Sequence, residues 1–343
     1  MRVLVIKISS MGDIIHALPA LTDAAKNVPG IRFDWVVEEK FAEIPRWHSA
    51  VDRVIPVSIR TWRKKIFSRD THLAVRAFLH DLRQNQYDFI IDAQGLIKSA
   101  LIAGMAKGLR CGLDKKSARE FLAALFYQQK ISVDKNQHAV TRVRELFAKI
   151  LNYSLPASQA DYGIDRSTFL SKSNEQNYCV FLHGTTWQSK HWPDMYWKKL
   201  AKIAGENQLN VKLTWGNAEE RVRAEEIAKE NPHVEILSHL SLFDIAKVLA
   251  NAKAVIAVDT GFCHLAAALS VPTVSLYGPT HPVLSGAMGE SQIHLAAQYP
   301  SCAPCLSRQC FWKGELLTLN GEKIQPACLA TLTPERVWNE LVR

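Results

Sequence analysis

Short apolar runs alternate with longer amphipathic stretches along almost the whole chain. The runs have the length and the β-branched residues of buried strands. The predicted strands are residues 3–8, 33–37, 53–57, 89–92, 178–183, 211–215, 234–237, 255–258 and 273–276. Because strands and helices alternate so regularly, the pattern predicts an α/β protein with parallel, doubly wound sheets.

The stretches between the strands repeat apolar residues with helical spacing. The predicted helices are residues 14–26, 74–83, 98–106, 138–151, 195–206, 218–229, 242–250 and 334–342. Pro19 should kink the first helix or reset its start. Thr333 is the predicted N-cap of the last helix.

A polar segment at residues 156–177 separates two halves that each begin with a strand. A chain of 343 residues favours two domains. We predict a first domain over 1–160, a linker over 161–177, a second domain over 178–332 and a C-terminal helix over 333–343, expected to pack on the first domain. Two Rossmann-like domains facing each other would form a cleft between the carboxyl ends of both sheets.

The formal net charge is +9, and much of it lies in clusters at residues 60–65 and 114–119. Each cluster alone fits a solvated surface, but together they favour a polyanionic partner: nucleic acid, anionic lipid or a phosphorylated sugar. Because no nucleic-acid-binding signature accompanies them, we expect no nucleic acid partner. No uncharged apolar run is long enough to cross a bilayer, and the N-terminus has the pattern of a strand, which predicts a cytoplasmic protein.

The turn after residues 255–258 has the features of a phosphate site. Thr260 offers a hydroxyl, Gly261 allows close backbone approach, and His264 can reach the same place. A helix begins here, so its free N–H groups and dipole favour an anion. The turn therefore predicts a site for a nucleotide or a phosphorylated metabolite.

Three other turns of the second half carry candidate ligands. Thr185 and Thr186 follow a strand, and Lys190 a few positions later could neutralise a departing phosphate. Pro193 suits position N1 of the next helix. Glu220 either serves the helix dipole or binds ribose hydroxyls. The turn containing Thr280 is weaker evidence.

The first strand runs into Ser9, Ser10, Gly12 and Asp13. This turn lacks both the G-x-G-x-x-G pattern of dinucleotide sites and the G-x-x-x-x-G-K-[ST] pattern of P-loops. Asp13 is either a first-turn residue that serves the helix dipole or a general base that takes a proton from an attacking hydroxyl.

The seven cysteines do not form a regular disulfide pattern. Cys111, Cys179 and Cys263 lie in apolar contexts that predict reduced core residues. The other four lie near the C-terminus, and they are Cys302, Cys305, Cys310 and Cys328. Their C-x-x-C start suits zinc, but the fourth cysteine is distant, so loop thiols or a redox-labile pair are favoured over a structural metal.

Five segments together resemble one protein family, although none would identify it alone. They are residues 5–21, 33–39, 92–99, 190–193 and 259–264. In combination they resemble the bacterial lipopolysaccharide heptosyltransferases of glycosyltransferase family 9, from Met1 to about Pro282. The resemblance implies a GT-B fold and inverting transfer of L-glycero-D-manno-heptose from an ADP-heptose donor.

The resemblance also implies roles for the turns. Asp13 would be the general base, and Lys190 would stabilise the diphosphate leaving group. The phosphates would be held by Thr185, Thr186, Thr260, Gly261 and His264. Glu220 would bind the ribose and Asp259 the heptose, and the remaining donor contacts would come from Ser9, Ser10 and Gly12.

The basic residues of the first half would bind the Kdo carboxylates and lipid A phosphates of the acceptor. They are Arg60, Arg63, Lys64, Lys98, Arg119 and His138. The expected partners are ADP-L-glycero-D-manno-heptose, Kdo-lipid A and the cytoplasmic face of the anionic inner membrane, contacted peripherally. We expect a monomer and no essential cofactor, with assistance by a divalent ion left open.

The favoured activity adds the first heptose to Kdo. An enzyme that adds the second heptose is the alternative, because the cysteine-rich segment (residues 301–310, with Cys328 later) resembles other branches of the family. The pattern leaves open an acceptor with one Kdo, two, or a phosphorylated Kdo. A non-catalytic protein that binds a nucleotide sugar or lipid A would be a rival of another class, and it would not need Asp13.

Overall fold

The computed structural model describes residues 1–171, 177–319 and 322–341, and the chain divides into two compact units, Met1–Asp165 and Arg166–Arg343. The boundary falls within the predicted linker, of which residues 172–176 lie outside the described part. The last two residues of the predicted C-terminal helix also lie outside it.

The first unit is built on a six-stranded parallel sheet of order β3-β2-β1-β4-β5-β6. Its strands are β1 (Arg2–Ile6), β2 (Arg32–Glu38), β3 (Val51–Val57), β4 (Gln86–Asp92), β5 (Lys107–Leu113) and β6 (Gln129–Ile131). Its helices are α1 (Met11–Ile15), α2 (Leu18–Asn27), α3 (Glu43–Arg46), α4 (Ile59–Lys64), α5 (Arg69–Leu82), α6 (Ile97–Met105) and α7 (Ala139–Leu151). Leu4, Ile6 and Ile90 of the central strands are completely buried, as expected for a sheet covered on both faces.

The second unit has a six-stranded parallel sheet of order β12-β11-β10-β7-β8-β9 and a two-stranded antiparallel sheet, β13-β14. Its strands are β7 (Tyr178–Leu182), β8 (Asn210–Leu213), β9 (Val234–Ile236), β10 (Ala254–Val258), β11 (Thr273–Tyr277), β12 (Gln292–Ala296), β13 (Thr318–Leu319) and β14 (Glu322–Lys323). Its helices are α8 (Asp194–Glu206), α9 (Ala218–Ala228), α10 (Leu242–Ala250), α11 (Gly261–Ala268), α12 (Pro282–Ser285), α13 (Ala327–Ala330) and α14 (Pro334–Leu341).

The two large sheets share one strand order. Counted within its own unit, each follows 3-2-1-4-5-6, the order of doubly wound nucleotide-binding domains. The chain reverses direction across the sheet between β1 and β4 in the first unit and between β7 and β10 in the second. Ligands of such sheets bind at the carboxyl ends of these strand pairs. The predicted fold class is therefore confirmed, and the topology marks one place in each unit where a site should lie.

Five strands and four short helices were not predicted. The strands are β5, β6, β12, β13 and β14, of which β5 is interrupted by glycines and the others are short or polar. The helices are α3, α4, α12 and α13. Gly112 of β5 has a structural reason, since a Cβ there would come within 2.4 Å of the Tyr127 ring. Pro193 is the N-cap of α8 rather than its N1 residue. The expected effect of Pro19 is confirmed, because α1 ends at Ile15 and α2 begins at Leu18.

The C-terminal helix α14 lies against α8 and β11 of its own unit. Val337 is buried in the core of that unit, and Lys199 on α8 forms an ion pair with Glu335 at 2.5 Å. The packing of this helix on the first domain stays a prediction. Among the described residues, no helix combines the length and apolar character needed to cross a bilayer.

Candidate active site

Asp13 lies in the first turn of α1, the short helix that follows β1 at the carboxyl end of the central strand of the first unit. The backbone N–H and the hydroxyl of Ser10 donate hydrogen bonds to Asp13 Oδ2, at 2.8 and 3.0 Å. Because both donors come from the residue that caps α1, the carboxylate is fixed at the start of this helix.

The charge of Asp13 is set by its neighbours. Burial raises the pKa of the Asp13 carboxyl, but the Lys7 ammonium and the hydrogen bonds from Ser10 outweigh burial, so its pKa lies below the usual value. Lys7 is itself buried and donates to the Ala93 carbonyl at 2.8 Å. Asp13 is therefore an ionised carboxylate at neutral pH, as a proton acceptor must be.

Gln94 joins the two turns at the switch point of the first sheet. Its Oε1 accepts hydrogen bonds from the backbone N–H groups of Ile8 and Ser9, at 3.0 and 3.2 Å. The backbone N–H of Gln94 donates to Asp92 Oδ1 at 2.8 Å, and the Tyr127 hydroxyl donates to Asp92 Oδ2 at 2.6 Å. Gln94 thus positions the segment that leads to Asp13, a role that sequence reasoning missed.

Arg119 is the predicted acceptor residue that the structure brings to Asp13. Arg119 is exposed, and the charge of its guanidinium contributes to lowering the pKa of Asp13. The same charge also contributes to lowering the pKa values of Lys7 and Arg142. Arg142 was not predicted as an acceptor residue. Burial lowers the pKa of its guanidinium, the charge of Asp134 opposes this shift, and the charge of Arg119 adds to it. Lys7 and Arg119 are therefore two cations whose charges both act on the Asp13 carboxylate.

The other predicted acceptor residues lie at different places on the same unit. Lys98 is in the first turn of α6, directly after β4. His138 caps α7, and its ring lies 5.6 Å from the ring of His16. The remaining three are exposed on α4, which follows the edge strand β3, two strands from β1, and they are Arg60, Arg63 and Lys64.

In the second unit, Asp259 is the centre of a cluster at the carboxyl end of β10. The Lys190 ammonium lies 2.6 Å from Asp259 Oδ2, and the Thr280 hydroxyl donates to the same oxygen at 2.7 Å. His264 Nε2 lies 3.8 Å from Asp259 Oδ1. Since Lys190 comes from the β7 side and Asp259 from β10, the cluster lies at the switch point of this sheet.

Asp259 is ionised for reasons that the cluster supplies. Burial raises the pKa of the carboxyl, but the nearby His264 ring and the charge of Lys190 together lower it far below the usual value. Thr280, which the sequence marked only weakly, is buried and bonded to this carboxylate. The pairing of Asp259 with Lys190 across 69 residues of chain has no local sequence signal.

A short turn holds Lys190 in place. Lys190 ends a 3-10 helix, Gln188–Lys190, and its ammonium lies 4.5 Å from the centre of the Trp187 ring. The buried Ser189 donates through its hydroxyl to the Ser307 carbonyl at 2.5 Å and through its backbone N–H to the Arg308 carbonyl at 3.1 Å. Backbone carbonyls of the cysteine-rich segment thus hold the turn that carries Lys190.

The predicted phosphate site has the expected local structure. Strand β10 ends at Val258, Thr260 is the N-cap, and α11 begins at Gly261. Thr185 donates to the Asp259 carbonyl at 3.4 Å, so the turn after β7 lies beside the turn after β10. Thr186 follows on the same turn and is exposed. The N-terminus of α11 and the Lys190 ammonium both favour an anion, so this place stays the predicted phosphate site.

Glu220 lies at the carboxyl ends of β7 and β8. Its Oε2 accepts from the Gly216 N–H at 2.8 Å. Its carboxyl carbon is so close to Gly184 that a Cβ there would come within 2.6 Å. The position agrees with the ribose interpretation, because the carboxylate borders the turn that carries the threonines.

The cysteines fall into two groups. Cys111, Cys179 and Cys263 are buried free thiols, as predicted. The other four line one cavity of about 150 Å³, and they are Cys302, Cys305, Cys310 and Cys328. Across residues 1–171, 177–319 and 322–341, no three His, Cys, Asp or Glu side chains are arranged to hold a metal ion.

Comparison with known proteins places the chain in a family. The family model described as glycosyltransferase family 9 (heptosyltransferase) matches residues 75–315. Lipopolysaccharide heptosyltransferase 1 of Pseudomonas aeruginosa is 52% identical, with 99% of this chain and 97% of the relative aligned. That alignment spans the cysteine-rich segment, so the segment does not separate this chain from a heptosyltransferase 1.

Two solved structures agree with this result. The E. coli heptosyltransferase WaaC with ADP matches with a TM-score of 0.83 at 50% identity, covering 87% of this chain and 93% of that chain. The E. coli WaaC with ADP-2-deoxy-2-fluoro heptose also gives 0.83, at 45% identity and coverage of 99% and 98%. The chain belongs to glycosyltransferase family 9, the heptosyltransferases.

Proposed function

We propose that this enzyme transfers L-glycero-D-manno-heptose from ADP-heptose to the Kdo of Kdo-lipid A, as a lipopolysaccharide heptosyltransferase 1. The observation that carries the proposal is the Lys190–Asp259 cluster at the N-terminus of α11, an anion site at the switch point of a nucleotide-binding sheet. The identity to heptosyltransferase 1 over nearly the whole chain supports the choice of donor and acceptor.

The residues suggest how the transfer proceeds. A hydroxyl oxygen of Kdo attacks the anomeric carbon of the heptose, and the Asp13 carboxylate takes its proton. The bond from that carbon to the diphosphate oxygen breaks, and ADP leaves with the electron pair. Lys190 and the N-terminus of α11 then stabilise the negative charge that develops on the diphosphate. Attack opposite the leaving group inverts the anomeric centre.

The remaining donor contacts follow from the turns of the second unit. Thr185, Thr260 and His264 lie around the anion site, and Glu220 borders it where a ribose would follow the phosphates. We assign Asp259 to the binding of the heptose hydroxyls, because a carboxylate readily accepts the hydrogen bonds that hydroxyls donate. Because Lys190 and a helix terminus supply positive charge, the proposed mechanism needs no metal ion or other cofactor.

The acceptor explains the cationic first unit. Lipid A phosphates and Kdo carboxylates are anions, and the cations around Asp13 would bind them near the base. Since such an acceptor is anchored in a bilayer, we also propose peripheral contact with the cytoplasmic face of an anionic inner membrane.

The test is a transfer assay with ADP-heptose against a panel of acceptors. The panel contains lipid A with one Kdo, with two, with a phosphorylated Kdo, and with one heptose already attached. We expect the product mass to show one added heptose on Kdo acceptors, with or without EDTA. Transfer only to the heptosylated acceptor would contradict the proposal and favour an enzyme that adds the second heptose.

Ser189→Ala tests the support of the lysine turn. The substitution removes the hydroxyl bond to the Ser307 carbonyl, a bond of a type worth about 1 kcal/mol. We expect kcat to fall by about 5-fold with a small loss of thermal stability, measured by steady-state kinetics and thermal unfolding. Ser307→Ala is the matched control, because it keeps the backbone carbonyl. Equal effects of the two variants would contradict a positioning role for Ser189.

A further inference from the structure

The connection from α4 to α5 in the first unit is both cationic and apolar. Between residues 59 and 76 the chain has six Arg or Lys residues and one acidic residue, Asp70. All six cations are exposed, and they are Arg60, Arg63, Lys64, Lys65, Arg69 and Arg76. We call this segment, residues 59–76, the basic hairpin.

Apolar side chains project from the middle of the basic hairpin. Phe67 is 94% exposed and Ile66 is 58% exposed in the connection, and Leu73 is exposed on α5. Adjacent exposed apolar residues of this size mark an interaction surface. An open groove of about 610 Å³ adjoins them and is lined by Ile59, Trp62, Ile66 and Val75 among others.

The basic hairpin is fixed to the body of the unit. The Trp62 ring packs against the Phe78 ring at 5.6 Å between centres, and Phe78 belongs to a buried hydrophobic cluster of the first unit. The helix that precedes Phe67 is therefore packed against the unit, while Phe67 itself is exposed. A partner that binds here contacts the exposed apolar side chains and the surrounding cations together.

We propose that the basic hairpin docks the enzyme on an anionic lipid bilayer. Phe67, Ile66 and Leu73 enter the interface between headgroups and acyl chains, while the cations around them contact the headgroup phosphates. A bilayer offers anions directly above an apolar layer, and this order matches an apolar tip within a cationic ring. Nucleic acid supplies the anions without an apolar layer. The inference rests on the proposed function only in that a lipid-borne acceptor brings the enzyme to a membrane.

The test measures binding of the full chain to vesicles by sedimentation, without substrate. We expect binding to phosphatidylglycerol-containing vesicles, weaker binding in high salt, and little binding to phosphatidylcholine vesicles. The double variant Ile66→Ser, Phe67→Ser should bind the anionic vesicles at least about 10-fold more weakly, because it removes two inserted side chains. Val222→Ser is the matched control, since Val222 is 59% exposed on α9 of the second unit, and it should bind as the unaltered chain does.

Transfer to a deacylated, water-soluble acceptor separates docking from catalysis. The double variant should keep its rate on this acceptor and lose rate on lipid acceptor in vesicles. Unchanged vesicle binding by the double variant would overturn the inference and leave the proposed function standing. Absence of transfer by the unaltered enzyme to every acceptor would overturn the proposed function instead. Equal binding to both kinds of vesicle would show that the cations do not select an anionic surface.

Discussion

Asp13→Asn is expected to lower kcat by about 10²- to 10⁴-fold while leaving the affinity for ADP-heptose unchanged, since loss of a general base costs that range. Asparagine keeps an oxygen that can accept the hydrogen bonds from Ser10, so the start of α1 should retain its structure. Steady-state kinetics and calorimetric titration with ADP-heptose measure the two quantities.

Asp88→Asn is the control for this substitution. Asp88 is exposed near the amino end of β4 and accepts a hydrogen bond from the backbone N–H of Arg2 at 2.7 Å. Both residues lie at the opposite end of the central strands from Asp13. Its variant should transfer heptose normally. Retained turnover in Asp13→Asn would remove Asp13 from the mechanism, and a non-catalytic binding protein would show no turnover in any form.

The pH dependence of the reaction follows from the same site. Because the pKa of Asp13 is lowered, its capacity to accept a proton is present above the usual carboxyl range and is lost only as the pH falls through the lowered pKa. Titration of Asp13 should therefore not shape the rate between about pH 6 and 8. A limb in that range that disappears in Asp13→Asn would contradict this assignment.

Lys190→Gln is expected to lower kcat by about 10²- to 10³-fold, with a smaller effect on the KM for ADP-heptose. The ammonium opposes charge that grows as the diphosphate departs, so its main effect falls on the transition state. Lys190→Arg keeps the charge and should recover part of the loss. Kinetics with saturating acceptor measure both variants.

Lys198→Gln is the matched control for Lys190. Lys198 is on α8 of the same unit and forms an exposed ion pair with Glu226 at 3.0 Å, which is worth little to stability. Its variant should have normal kinetics. If Lys190→Gln raised KM and left kcat unchanged, the lysine would contribute to ground-state binding alone and would have no role in leaving-group departure.

Local patterns were sufficient to predict the central strands and the turns that follow them. Apolar runs predict β1, β7 and β10, and the Ser10–Asp13 cap that follows β1 joins residues only three positions apart. The contacts that join these turns were not predictable in the same way. Gln94 reaches Ile8 across 86 residues, and Thr280 reaches Asp259 across 21, so only the strand order brings them together.

The missed strands have a similar cause. Gly112 would weaken a strand in isolation, yet it is required because the Tyr127 ring lies against it and Tyr127 in turn holds Asp92. A pattern of apolar and polar residues records which side chains are buried. It does not record which ring occupies the space that a missing side chain leaves.

The shared strand order of the two sheets gives the enzyme a modular organisation. Each half has its own reversal point and its own core, so substitutions that alter recognition in one half do not require compensating changes in the strand pairing of the other. In the proposed function, most contacts to the nucleotide sugar come from residues 166–343, and contacts to the lipid-borne sugar come from residues 1–165. Evolution can therefore change the acceptor of such a chain while conserving its donor, by drift confined to one half.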